Sequence, residues 1–481
     1  MTNHETGATS QPFTLSRFVV VHKLAHDRYA IWNGPFPTVL LVNETLLEIL
    51  RSLPASASRV NGRHLRELTK ARIVCTESTD YSDRDFFSSA ERKLRELDAA
   101  AGRFYRRREA YKTLEITVDV CNLGCPYCLR KEATAARART RPAAEHGPRR
   151  LEVIRQVLDE FLRRAVSNGL PRVALSLNGG EILLKWSIIE DLLEYARKKY
   201  PALPVHCVMN TNATLLTKTL ARRLKDLGVV VNVSIDGYAE MHDKTRRFLS
   251  GRKASFDRVI EGIRAYNADR DPSTRIRSFQ GTIESPGEFD MAKFLGMCAY
   301  GFESARLAPN LLRKTGEEGR VAAEWEAALV TRCDADGVAA SGSRFQQTCA
   351  EIGKRQTGYS HRCNGLRGIA AGSLTLNIDS MEASLLCSFI PDSVIAIADL
   401  GHDIFSPRLW EAARASIVTR LASLRKNCAQ CEVLGVCQGG CVINGLDVTH
   451  QVNPAACEYQ RTLWRRSVEF SFADTLVRHA C

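Results

Sequence analysis

Sixteen cysteines lie along 481 residues, and two groups of them have spacings that can do chemistry. Cys121, Cys125 and Cys128 form CxxxCxxC in the run Val-Asp-Val-Cys-Asn-Leu-Gly-Cys-Pro-Tyr-Cys. Three thiolates within eight residues can wrap one iron–sulfur cubane. Such a cluster normally takes four thiolates, so three leave one iron open to an outside ligand. A structural zinc knuckle is the alternative, but zinc prefers paired CxxC units and a closed fourth position, and no fourth ligand lies nearby. The second group, Cys428, Cys431, Cys437 and Cys441, follows CxxCxxxxxCxxxC, with Cys363 and Cys387 before it and Cys457 after it. Seven cysteines exceed one zinc site, and paired zinc sites are the competing assignment there. Cys207 and Cys298 read as packing residues. Cys75, Cys333 and Cys481 have no assigned role.

These thiols need a frame. Six strand-like runs, residues 114–120, 173–178, 205–210, 229–236, 276–284 and 304–308, alternate with amphipathic helices, the pattern of a parallel βα barrel that is partial. In the helix after the first strand, Leu151, Ile154, Val157, Leu158, Phe161, Leu162 and Val166 recur at helical spacing and predict a core face. Between that strand and helix, residues 130–150 are Arg-rich and poor in apolar side chains, which reads as a long mobile loop. Cys121 follows the first strand directly, and parallel βα barrels place ligands at the C-terminal ends of their strands. The other strand ends carry Asn178 to Glu181 (AsnGlyGlyGlu), Asn210 to Leu216, and Ser234IleAspGly237 followed by His242AspLysThrArg246. Glycines at 179 and 180 let backbone approach a ligand, and the adjacent Glu181 can pair with an ammonium. Before the barrel, residues 13–75 mix short strands with two helical patterns, like a winged helix, and residues 81–112 read as a connecting helix.

The cluster loop and the four strand-end segments, in this order, resemble the radical S-adenosylmethionine (SAM) superfamily. Tyr127 stands at the family's aromatic position before the third cysteine. Asn178 to Glu181 is similar to the GGEP segment that holds the methionine amine, with Ile182 in place of proline. Asn210 to Leu216, including Asn212, is similar to the TNG segment with Ala213 for glycine. Ser234, Asp236 and Arg246 match SxDG and HDxxR, hydroxyl and carboxylate suiting ribose and arginine suiting the methionine carboxylate. The resemblance implies SAM bound by Tyr127, Gly179, Gly180, Glu181, Asn212, Ser234, Asp236 and Arg246. It also implies one-electron reduction of SAM at the open iron, releasing a 5′-deoxyadenosyl radical that abstracts hydrogen from substrate.

The second cysteine group resembles the SPASM domain, the C-terminal extension of radical SAM enzymes that mature peptides and proteins, which carries two auxiliary 4Fe–4S clusters. Carried over by order, Cys428, Cys431, Cys437 and Cys457 hold the outer cluster and Cys363, Cys387 and Cys441 the inner one. Cys349 or an open iron completes the inner set. With the barrel's cluster this makes three. Sulfatase maturases have an aspartate directly after the second SPASM cysteine; here it is Ser388, which counts against that branch. The N-terminal module resembles leader-binding elements of maturases that act on ribosomally made peptides. The expected organisation is a peptide-recognition module (13–80), connecting helix (81–112), partial (β/α)6 radical SAM barrel (113–310), helical bridge (311–356) and SPASM domain (357–481).

Composition supports a folded, non-membrane chain: 44% hydrophobic, 25% charged, no run near the ~18 apolar residues of a span, and a polar start without an export core. The cytoplasm is the expected location. The net charge of +13 favours an acidic partner without naming it. The positive charge is not interleaved with aromatics, so nucleic acid is not the expected partner. The expected function is a peptide maturase that oxidatively modifies, by crosslinking, a precursor bound through its leader, with flavodoxin or ferredoxin as reductant. The competing readings are a SPASM enzyme acting on a folded protein or small molecule, and an iron–sulfur DNA-binding sensor of redox state or SAM.

Overall fold

The computed structural model describes residues 12–55, 57–77, 79–80, 83–131, 149–335, 339–340, 344–349, 352, 373–385, 393–400, 403–428, 431–437 and 452–477. Cys363, Cys387, Ser388, Cys441, Cys481 and most of the Arg-rich segment lie outside the described residues.

The body is an open ten-stranded sheet. Its centre is β6 (Thr113–Val118), β7 (Val173–Gly179), β8 (Val205–Thr211), β9 (Val229–Ser234), β10 (Ser278–Ile283) and β11 (Ser304–Pro309), all parallel neighbours. These are the six strands expected from sequence. Two further parallel strands flank them, β12 (Ala339–Ala340) on β11 and β13 (Ser373–Asn377) on β6, and antiparallel β14 (Glu382–Ser384) and β15 (Ile395–Ala396) extend the β13 side. The sheet thus continues unbroken from the barrel into the C-terminal region.

Alternation along each strand separates two faces. Leu114, Ile116 and Val118 of β6 are buried toward the helices, as are Leu175 and Leu177 of β7 and Val229, Val231 and Val233 of β9. Helix α4 (Arg149–Ser167) covers the first of these with Ile154, Val157, Leu158, Phe161, Leu162 and Ala165, all fully buried, whereas Val166 of the same helix is exposed. Burying a side chain of this size contributes roughly 1.5–3 kcal/mol. The helices that follow β7, β8 and β9 are α5 (Trp186–Lys199), α6 (Lys218–Asp226), α7 (Ala239–Thr245) and α8 (Phe256–Asn267). Thr217 caps α6 by accepting from the Leu220 amide at 3.2 Å, satisfying one of the donors a helix start leaves open.

The N-terminal module has a three-stranded antiparallel sheet of β2 (Val19–Ala25), β3 (Arg28–Asn33) and β4 (Phe36–Val42), and a small pair of β1 (Thr14–Leu15) with β5 (Val74–Cys75). Helices α1 (Glu44–Arg51) and α2 (Gly62–Lys70) pack on it through Leu47, Leu50 and Leu68, in one cluster with Ile73, and α3 (Asp83–Arg106) leads to the barrel. Helix α9 (Met291–Leu295) lies between β10 and β11, and after β11 come α10 (Gly316–Ala335), α11 (Arg344–Cys349), α12 (Arg408–Cys428), α13 (Leu434–Cys437) and α14 (Pro454–Val477). α10 lies against α14 so closely that a Cβ at Gly319 would stand 2.1 Å from the Ala455 carbonyl oxygen.

Candidate active site

Cys121, Cys125 and Cys128 follow β6 in a loop whose backbone is held from three sides. Asp379, just past β13, accepts from the amides of Asp119 (2.7 Å) and Val120 (3.1 Å). The Gly124 amide donates to the Arg247 carbonyl (2.8 Å) and the Leu249 amide to the Asn122 carbonyl (2.9 Å). Asn122 Nδ2 donates to Thr214 Oγ1 (2.8 Å), tying the loop to the end of β8. The three thiols are free, Cys125 buried and the other two half-buried. Burial pushes Cys125 up to about 11 and raises Cys121 as well, so both stay protonated at neutral pH until a metal displaces the proton.

Gly179 and Gly180 bring backbone close to backbone. A Cβ at Gly179, whose φ is +122°, would meet the Val118 carbonyl oxygen at 2.3 Å, and one at Gly180 the Val120 oxygen at 2.0 Å. The Gly180 and Glu181 amides donate to those same two oxygens at 2.7 Å each. The close approach therefore seats the cluster loop on the end of β7. Glu181 is fully buried; Oε1 accepts from Thr211 Oγ1 (2.7 Å) and the Leu183 amide (3.1 Å), and Oε2 from the Asn212 amide (2.8 Å). Burial raises its pKa, and these three donors act against that rise. Asn212 donates to Asn122 Oδ1 (2.8 Å) with its Nδ2 3.9 Å from Cys121 Sγ.

A second network joins Asp236, Tyr127 and Arg246. The Asp236 carboxylate is fully buried and accepts from the Tyr127 hydroxyl, from Thr245 Oγ1 (2.9 Å) and from the Thr282 amide (2.8 Å). Arg246 Nε stands 2.9 Å from Asp236 Oδ1, an ion pair rather than an aligned hydrogen bond, and its guanidinium lies 5.9 Å from the Tyr127 ring centre. Burial opposes the guanidinium's charge, but Asp236, Tyr127 and Cys125 together more than offset it. His242 sits behind this pair. Its Nδ1 accepts from the Asp236 amide (3.3 Å), which leaves Nε2 to donate to Ser255 Oγ (3.0 Å), and Ser255 donates to the Arg246 carbonyl (2.5 Å). Burial pulls His242 down to about 3, so it is neutral.

The structure thus gathers Tyr127, Asp236 and Arg246 in one network and Glu181, Asn212 and Cys121 in the other. Ser234 stands apart on the inner face, opposite Gln280 in register. Asp236 and Arg246 also pair with each other, since both charges are buried and a buried charge demands a partner.

The inner face of the sheet carries polar side chains outside the strand-end motifs, joined to Asn178 and Asn210 within them. Thr375 donates to Glu115 (3.1 Å), Asn178 donates to Glu115 (2.8 Å), Asn210 donates to Asn178, and Gln280 donates to Asn210 (3.1 Å). This polar row crosses β13, β6, β7, β8 and β10. Its signal was available as polar residues at every second position of strands whose other face is aliphatic.

In the C-terminal region burial, then the neighbouring Cys431 and Cys457, pushes Cys428 up to about 12, and burial followed by Cys431 raises Cys457. Cys431 and Cys437 line one apolar cluster with Trp32, Val433, Val436 and Trp464. Cys349 is half-buried beside Ser467 and Ser471, more than two turns along α14 from Cys457.

A family model for the radical SAM superfamily matches residues 116–276. The chain carries a radical SAM domain. It is 30% identical over 148 residues to the serine-type anaerobic sulfatase-maturating enzyme of Bacteroides thetaiotaomicron, covering 30% of this chain and 33% of that one. It is 27% identical over 341 residues to the AdoMet-dependent heme synthase of Methanosarcina barkeri, covering 66% and 87%. The first curated relatives are matched over about a third of their own length. Among solved structures, native anSMEcpe with bound AdoMet superposes with a TM-score of 0.57 at 17% identity, over 76% of this chain and 99% of that one, and a form with the Cp18Cys peptide has a TM-score of 0.53 at 17% identity, over 75% and 99%. At that identity the likeness is one of fold.

The radical SAM family implies SAM and one 4Fe–4S cluster, and the donor set fits them. Three free thiols share one tightly docked loop. Among the described residues no helix is long and apolar enough to cross a membrane.

Proposed function

We propose that this chain is a radical SAM peptide maturase, in which Cys121, Cys125 and Cys128 hold the SAM-cleaving cluster. When bound, cluster and SAM supply a 5′-deoxyadenosyl radical that takes a hydrogen atom from the substrate. The chain's own residues prepare that step. Asn122, Gly124 and the Asp379 clamp hold the loop; Gly179, Gly180, Glu181 and Asn212 set the strand ends around it; Tyr127, Ser234 and the Asp236–Arg246 pair wall the far side. The row from Thr375 to Gln280 gives an extended backbone donors and acceptors along the barrel's inner face. Auxiliary clusters on Cys428, Cys431, Cys437 and Cys457, and on Cys363, Cys387 and Cys441 with Cys349 or an open iron, would accept the surplus electron. Flavodoxin or ferredoxin supplies the reducing electron, and the cytoplasm, where such thiols stay reduced, suits the whole.

The observation that carries the peptide reading is the strand-helix module of residues 13–80 built into the body of the molecule, since a sheet edge takes an extended peptide through main-chain hydrogen bonds. A solved neighbour of the same fold binds a peptide. The test is anaerobic incubation of reconstituted protein, SAM and reductant with the short peptide encoded beside its gene. Loss of two hydrogens from the peptide mass is the expected result. Deoxyadenosine release with no change in any such peptide would end the reading. The long match to a heme synthase favours a second reading, a small-molecule substrate; turnover of a tetrapyrrole under the same conditions would select it.

A further inference from the structure

The N-terminal module does not hang from the molecule by its linker. The turn between β3 and β4 is pressed into the loop that joins Cys431 to Cys437. The Gly435 amide donates to the Gly34 carbonyl (2.8 Å), and the Trp32 indole N–H donates to the Glu432 carbonyl (2.9 Å). Neither backbone leaves room for a side chain. A Cβ at Gly34 would stand 2.7 Å from the Cys431 carbonyl oxygen and 2.9 Å from the Glu432 Cα, and one at Gly435 2.3 Å from the Pro35 carbonyl oxygen. Beneath the turn, Trp32 meets Trp464 edge to face, ring centres 6.1 Å apart, both fully buried. Val433, Val436, Cys431 and Cys437 share that apolar cluster with Ala30 and Val39 of the module. From the other side Arg465 grips Glu432 at 2.8 and 2.9 Å.

We propose that Trp32 and Gly34 are positioning residues of the C-terminal cysteine site, forming one wall of it and holding Cys431 and Cys437 at the spacing a cluster needs. This rests on the iron–sulfur reading of Cys428, Cys431, Cys437 and Cys457. The physical consequence is twofold. Excluding water from a cluster and fixing hydrogen bonds around its ligand loop both set its reduction potential. The element that receives the peptide is also the element that shields the cluster, so a shift of the β3–β4 turn acts on the potential without touching the barrel.

The experiment uses the full chain in three forms, unchanged, Trp32→Phe and Gly34→Val, reconstituted anaerobically. Trp32→Phe keeps the ring and removes the N–H; Gly34→Val forces the two backbones apart. The expected result is a shifted midpoint potential of the C-terminal cluster in Trp32→Phe and loss of one cubane's iron, about four atoms per chain, in Gly34→Val. The SAM-responsive signal of the barrel cluster serves as the folding control and is expected to persist. Unchanged iron, spectra and midpoint in both variants overturn the proposal. Alkylation rates of Cys431 and Cys437 in iron-free protein give a readout independent of any cluster. If Cys428→Ala with Cys431→Ala removes no iron, the cluster reading fails separately and these rates decide: a several-fold rise in Gly34→Val upholds the positioning role, and equal rates overturn it.

Discussion

At the scale of single residues, the site is built from buried polar groups that satisfy one another. Asp236 takes four partners and Arg246 is its only cation among the described contacts. Removing one member of such a pair strands the other, typically at about 3–5 kcal/mol. Arg246→Ala is therefore expected to lower the stability of the iron-free chain by that order in urea melts; a change below 1 kcal/mol, roughly the worth of a surface pair, would show that Asp236 does not depend on it. Ala213 gives a contrasting case. It stands where the family has glycine, with φ at +62° and no exposure. Left-handed backbone costs an alanine about 1–2 kcal/mol. Glycine would relieve that but forfeit about 0.5–1 kcal/mol of chain entropy and about 0.8 kcal/mol for the buried methyl. The terms nearly cancel, so Ala213→Gly is expected within about 1 kcal/mol of the parent, while the β-branched Ala213→Val should cost clearly more; equal melts for the two variants would contradict this.

At the scale of elements, what matters is how strand ends are joined to helix starts. His242 pins α7 to the end of β9 as a neutral acceptor. Its folded-state pKa, about 3, lies below the unfolded value of about 6.5. Below pH 6.5 the unfolded chain takes a proton that the folded chain refuses, so this contribution is complete above pH 6.5 and is lost as pH falls toward 3. The slope is at most about 1.4 kcal/mol per pH unit. Urea melts at pH 7, 6 and 5 should show His242→Asn with a shallower decline than the parent; parallel declines would refute the assignment. At the neighbouring strand end, Gly180→Ala sets a Cβ against the Val120 oxygen and should displace the cluster loop, with loss of the SAM-responsive cluster signal at unchanged helicity. Both strand ends were legible in the sequence as motifs. That the glycines admit the protein's own backbone, and that the histidine accepts at Nδ1 while donating from Nε2, depended on which strands are neighbours.

At the scale of the whole molecule, the ten-stranded sheet carries the barrel into the C-terminal region through β13 and β14, and the N-terminal module closes on that region from the other end. His22 and Glu469 add a contact of 2.9 Å between β2 and α14. Read from sequence, the module looks removable. In the folded chain, deleting residues 1–80 uncovers Trp464, Val433 and Val436, so the truncated protein is expected to unfold at lower temperature and to lose C-terminal iron along with peptide affinity. A truncation that keeps the parent's melting temperature and iron would show the module to be an independent appendage.

The order of the six parallel strands, the cysteine loop after the first and the polar segments at the ends of the next three follow from sequence alone, because period-two and period-3.6 patterns and short motifs are local properties. Which buried charge neutralises which, and which loop closes on which, joins residues such as Asp119 and Asp379, or Gly34 and Gly435, that are hundreds of positions apart. No local pattern encodes that proximity. It is decided by the packing of the sheet and its helices, which leaves each buried polar group only the partners that the completed fold brings within reach.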